Sequence, residues 1–172
     1  MRKYFYNYCA NYNNHENNSS MTLDSVDLKI LNLLQQDSKQ TNKALSLELN
    51  LSVTAIFERV KKLENEGIIR KYVALVNQKK VHKSFVTFCS IKLVQHSKEF
   101  VTQFEREVTK LKEVLECYHI SGDYDYLLKV LVEDMDAYRE FMIQKLTKIH
   151  HIGSTHSAFM INEVKHTTAI VL

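Results

Sequence analysis

The spacing of apolar residues changes once along this chain, and that change constrains the fold more than any other feature. Up to about residue 66 the apolar positions recur at helical spacing. From Lys83 onward, alternating strand-like runs are separated by two amphipathic helical stretches. A helical stripe needs other helices to cover it, whereas alternation needs a sheet with one face packed. The chain therefore reads as α+β, with a helical module over residues 21–82 and a sheet module over 83–172. Its 172 residues suffice for two small units.

In the first module, "LDSVDLKILNLLQQD" carries Leu23, Val26, Ile30, Leu33 and Leu34 at helical spacing, with Asp24 placed to cap the N-terminus. "TNKALSLELN" follows, with Thr41 as a cap and Leu45 and Leu49 one turn apart. "LSVTAIFERVKKLENEG" is capped by Ser52 and repeats Val53, Ile56, Val60 and Leu63 as an inward stripe. Thr54, Ala55, Glu58, Lys61 and Lys62 then face outward, with Phe57 and Arg59 on the flanks. Gly67 fits the position just past a helix end. "IIRKYVALV" is rich in β-formers and predicts a strand.

Two short helices, a tight turn and a third helix with a cationic outer face make the helix-turn-helix plan. From Arg59 to Lys80 there are seven basic residues against two acidic ones; from Lys83 to the end there are 11 basic and 12 acidic. That unevenness points the first module toward a polyanion. Ser52, Thr54, Glu58, Arg59, Lys61 and Lys62 are the expected contacts to double-stranded DNA, the lysines on phosphates and the helix start on base edges. A plain three-helix bundle with a charged surface would show the same periodicity.

In the second module, "SFVTFCSIKLV" alternates, with Phe85, Thr87, Cys89 and Ile91 on one face and Val86, Phe88 and Leu93 on the other. "SKEFVTQFEREVTKLK" predicts a helix burying Phe100, Phe104, Val108 and Leu111; "MDAYREFMIQKLTKI" predicts another through Tyr138, Phe141, Met142 and Leu146. "VLECYHI", "YLLKVLV", "STHSAFMINEV" and "KHTTAIVL" predict strands. The order is βαββαβ, a ferredoxin-like sandwich with one extra strand. Helices cover one sheet face; the other is also apolar and is expected to be buried in a second copy, giving a homodimer.

Residues 1–20, with six Asn and four Tyr and no period, predict a disordered extension. No run of about 18 apolar residues marks a membrane span. Three widely spaced cysteines fit a reducing cytoplasm, not a disulfide framework.

Taken in order, "LDSVDLKILNLLQQD", "LSVTAIFERVKKLENEGIIRKYVALVN", "GDYDYLLKV", "DMDAYREFM" and "EVKHTT" resemble the leucine-responsive/asparagine-regulator (Lrp/AsnC) family of transcription factors over residues 21–172. The resemblance implies an N-terminal winged helix-turn-helix that binds DNA. It also implies a C-terminal sandwich that dimerises, assembles into tetramers or octamers and senses small amino acids. It implies no enzyme and no cofactor beyond such an effector. Two departures concern turns. Val53 stands where members often have Pro, and "HHI" followed by Gly153 replaces a frequent Pro-Gly-Val.

One stretch stays open on residues alone. Gly122, Asp123, Tyr124 and Asp125 precede the apolar "YLLKVLV". Catalysis lacks a partnered nucleophile, and His150, His151 and His156 match no standard metal spacing. Gly-Asp is a hairpin element whose carboxylates bond their own backbone. Alternatively, the carboxylates accept the ammonium group of an amino acid. The resemblance implies the second use and adds the hydroxyls of Thr155 and Ser157 to the effector set. The competing function is an architectural DNA-binding protein that needs no effector.

Overall fold

The computed structural model describes residues 22–172; the expected extension over residues 1–20 lies outside the described residues. Two compact units result. One runs to Ala74 and includes Thr167–Leu172; the other is Leu75–His166.

Among the described residues, the first unit holds three helices: α1 (Ser25–Gln36), α2 (Asn42–Leu49) and α3 (Val53–Asn65). Each starts where a side-chain oxygen relieves unpaired backbone N–H groups. Asp24 accepts from Val26 and Asp27, Thr41 from Ala44, and Ser52 from Ala55. Asp27 reaches back to the Asp24 N–H and completes a capping box. Ile30, Leu31, Leu45, Ile56 and Leu63 form the core. Gly67, at φ +69°, lets the chain turn off α3. Val53 departs from the expected inward stripe: it is the first residue of α3, ahead of the packed turns, and 47% of its surface is exposed.

The second unit contains a 3-10 turn (Gln78–Val81), then β1 (Phe85–Leu93), α4 (Lys98–Val108), β2 (Val114–His119), β3 (Tyr126–Val132), α5 (Met135–Gln144) and β4 (Ile152–Phe159). The sheet order is β2-β3-β1-β4, antiparallel throughout, which is the ferredoxin-like arrangement. Cys89, Ile91, Leu128, Val130, Phe104, Val108, Tyr138 and Phe141 lie in its core between sheet and helices. Leu93 belongs there too, not on the opposite face: it has the parity of Ile91 and is buried with it. On α4, Val101 takes a core place, while the partly buried Phe100 stacks on His151 at 3.5 Å between ring centroids.

Two expected strands do not form among the described residues. The segment after Gly67 and the terminal "KHTTAIVL" carry β-forming residues but pair with no strand. β-propensity describes how a side chain fits a paired surface and cannot supply the partner. Residues Thr167–Leu172 instead join the helical unit.

Candidate functional site

The outer side of α3 begins at Ser52, whose hydroxyl is occupied in capping the Ala55 N–H at 3.1 Å. Thr54, Glu58, Lys61 and Lys62 are exposed, as their spacing requires; Ala55 is half-buried. The Lys61 ammonium lies 5.7 Å from the centroid of the Phe57 ring, a cation–π distance that leaves its charge facing water. These residues form a polar and cationic strip beginning at a helix N-terminus, where backbone N–H groups favour a phosphate.

Arg59 is placed differently from its neighbours. Its Nη1 donates to Asp24 Oδ2 at 2.7 Å and to Asp27 Oδ1 at 2.6 Å. Asp27 is buried, and its carboxylate is satisfied by the guanidinium and the Asp24 N–H. The Asp27 N–H, followed by the Arg59 guanidinium, holds the Asp24 carboxyl below its ordinary range; the same pairing raises Arg59 further. Arg59 thus fastens α3 to the start of α1, and Lys61 and Lys62 are the cations of α3 that face solvent. Asp27 was absent from the expected site. The Asp-x-x-Asp spacing of a capping box was its only local signal.

In the sheet unit, Gly122 takes φ +135° and turns the chain between β2 and β3. Asp123 is exposed. The ring of Tyr124 lies 6.1 Å from that of His156 on β4. Asp125 ties three strand ends together. Its N–H donates to Ile91 and its carbonyl accepts from Ile120, both at 2.8 Å. Its Oδ2 accepts from the Leu93 N–H at 2.7 Å, and Oδ1 lies 2.6 Å from His96 Nε2. His96 had no signal in the sequence, because it stands 29 residues from its partner.

The expected hydroxyls sit apart from this turn. Ser157 Oγ is 2.6 Å from the Tyr138 hydroxyl in the helix layer, and Thr155 shares its strand parity. His156 has the opposite parity and faces away from that layer. Within the described residues, the six expected effector positions therefore divide between a turn at the sheet end and the helix-facing side of β4.

Comparison with known proteins finds two family models along the chain. Residues 23–70 match the winged helix-turn-helix DNA-binding model, and residues 86–170 match the Lrp/AsnC ligand binding domain. The leucine-responsive regulatory proteins of Escherichia coli and Salmonella typhimurium are each 39% identical over 150 residues, covering 87% of this chain and 92% of theirs. A transcriptional regulator from Neisseria meningitidis, solved as an L-Met complex, superimposes with a TM-score of 0.82 at 36% identity, covering 87% of this chain and 96% of that one. An AsnC family regulator from Agrobacterium tumefaciens gives 0.82 at 39% identity, covering 86% and 96%. A helix-turn-helix unit with an exposed cationic third helix, followed by this ligand-binding sandwich, makes the chain a DNA-binding transcriptional regulator that belongs to the Lrp/AsnC family.

Proposed function

We propose that this regulator is a cytoplasmic homodimer, assembling further to a tetramer or octamer, whose DNA binding is set by a small amino acid. Thr54, Glu58, Lys61 and Lys62 meet the major groove, with Ser52 shaping the helix start. The turn Gly122–Asp125, with Thr155 and Ser157, serves the effector.

The observation that carries the effector reading is the Gly122–Asp125 turn. It brings an exposed carboxylate, an aromatic ring and a histidine-paired carboxylate together at the end of the sheet. Acceptors of this kind suit an ammonium group, and free backbone N–H groups of a turn suit a carboxylate. Two similar proteins, one leucine-responsive by name and one solved with L-Met, support an amino acid as the chemical class. The dimer rests on the sheet face away from the helices, where Phe88, Leu115 and Tyr118 are exposed beside half-buried Leu127 and Leu131. A second reading, an architectural DNA-binding protein without an effector, is favoured by one fact: both Asp125 oxygens already have partners.

Thermal melting of the full chain against the twenty amino acids separates the two readings. A ligand at 100 times its Kd stabilises by about 2.7 kcal/mol, a shift of several degrees. The amino acid that shifts the melt is then added to a DNA titration, where it is expected to change affinity. No shift with any amino acid would leave the architectural reading standing.

A further inference from the structure

Gln35 lies in the last turn of α1 and is half-buried. Its side chain engages one residue 135 positions away. Oε1 accepts from the Ile170 N–H at 2.8 Å, and Nε2 donates to the Ile170 carbonyl at 3.0 Å. A carboxamide carries its donor and acceptor in one plane, so the pair reproduces the two-bond exchange of an antiparallel bridge. The peptide approaches in a shaped form, because the Thr167 hydroxyl accepts from the Ala169 N–H at 3.2 Å.

What is recognised is backbone, since the side chains of Ile170 and Val171 are exposed. Two solvent-accessible hydrogen bonds are weak between free molecules. They suit a peptide held nearby, and only residues 160–166 separate this one from the end of β4. The consequence is topological. The chain passes between the two units at Ala74–Leu75 and again at His166–Thr167. A unit joined by a single linker reorients freely by default; a second attachment removes much of that freedom.

We propose that the C-terminal peptide Thr167–Leu172 is a strap that docks on the end of α1 through Gln35, and that this second tether holds the DNA-binding unit in place for specific DNA. The surface on α1 is thus an interaction site whose occupant is the chain's own tail. Holding matters for specific binding, where both copies of α3 must meet their half-sites in register; it matters less for binding any duplex through phosphates.

The test combines hydrogen exchange at the Ile170 amide with DNA titration on the full chain. The DNA probes are a duplex selected by the wild-type protein from a random pool and a scrambled duplex. Gln35→Ala removes both bonds. Gln35→Glu keeps an acceptor for the Ile170 N–H and loses the donor to its carbonyl. Protection of the Ile170 amide is expected to fall about ten-fold in Gln35→Ala and less in Gln35→Glu. Affinity of Gln35→Ala for the selected duplex is expected to fall by up to about ten-fold on the same basis. Affinity for the scrambled duplex and the salt slope should stay unchanged, because no charge is removed. Deleting residues 167–172 should reproduce the Gln35→Ala result.

Three outcomes overturn the proposal. The Ile170 amide exchanges as fast in the wild type as in Gln35→Ala. The melt falls while the selected and scrambled affinities stay as in the wild type, leaving only local packing. Protection appears only as protein concentration rises, which assigns the docked peptide to a second copy.

Discussion

The helical unit and the sheet unit meet the same demand with different means. Fourteen buried apolar residues line the core of the sheet unit, drawn from β1, β3, both helices and the stretch after α5, with Val114 and Cys117 of β2 and Ile152 of β4 partly buried against them. Among the described residues, five make the core of the helical unit. A core that small leaves more of the specification to directed polar contacts: three side-chain caps, a capping box and the Arg59 pairing with Asp24 and Asp27. The difference is functional as well as structural. The helical unit must present one face of α3 at a fixed angle, and directed contacts set angles better than apolar burial does.

The comparison breaks most visibly in the sheet core. Leu128 is fully buried on β3, so Leu128→Ala leaves a cavity and costs about 2–5 kcal/mol. Hydrogen exchange should show that loss in the strands while the α2 amides keep their protection. Equal loss in both units would mean that they unfold as one cooperative body, with no difference in how each is held.

A smaller effect tests the polar side. Arg59→Met removes the cation from a buried carboxylate, Asp27, and should cost the helical unit roughly 1–3 kcal/mol. A double-mutant cycle with Asp27→Asn should show coupling between the two positions. In a DNA titration of the folded variant, the salt slope should be unchanged. A slope smaller by about one unit, with stability intact, would return Arg59 to the phosphate contacts.

The same contrast explains what the sequence makes legible. Caps are local: Asp24, Thr41 and Ser52 each sit within three residues of the N–H groups they satisfy, and all three are readable from spacing. The βαββαβ order is also readable, because alternation and helical period differ over short windows. Partnership over distance is not readable. Arg59 looks like a DNA contact because its carboxylates lie 32 and 35 residues upstream. Asp125 is recognisable as a turn residue, yet its bonds to Leu93 and His96 follow only from folding. The unpaired stretches after Gly67 and at the C-terminus carry Tyr72, Val73, Leu75, Ile170 and Val171, the composition of strands, but among the described residues no strand pairs with them. Gln35 gives no signal at all, since a carboxamide near a helix end is ordinarily a solvated side chain.

The smallest expected effect concerns pH and separates the units through their carboxylates. In the helical unit, the Asp27 N–H and then Arg59 hold Asp24 below its ordinary value of 3.8. In the sheet unit, burial pushes Glu116 up, but the Tyr118 hydroxyl and the Lys129 ammonium more than offset this and hold it below 4.5. A group whose folded pKa lies below its unfolded one binds fewer protons when folded. Its contribution is complete above the unfolded value and disappears as pH falls through the folded value, so acid weakens both units below about pH 4. Asp24→Asn isolates one of them. Asn caps a helix as well as Asp does but does not titrate. The variant should keep the helical fold at neutral pH, show a flatter acid limb for the α1 and α3 amides, and leave the acid limb of the strands as in the wild type. Because half of the Asp24 side chain is exposed, added salt should shrink the difference between variant and wild type. An acid limb unchanged in the helical unit would show that Asp24 acts only through its cap, and that Asp27 alone holds Arg59 in place.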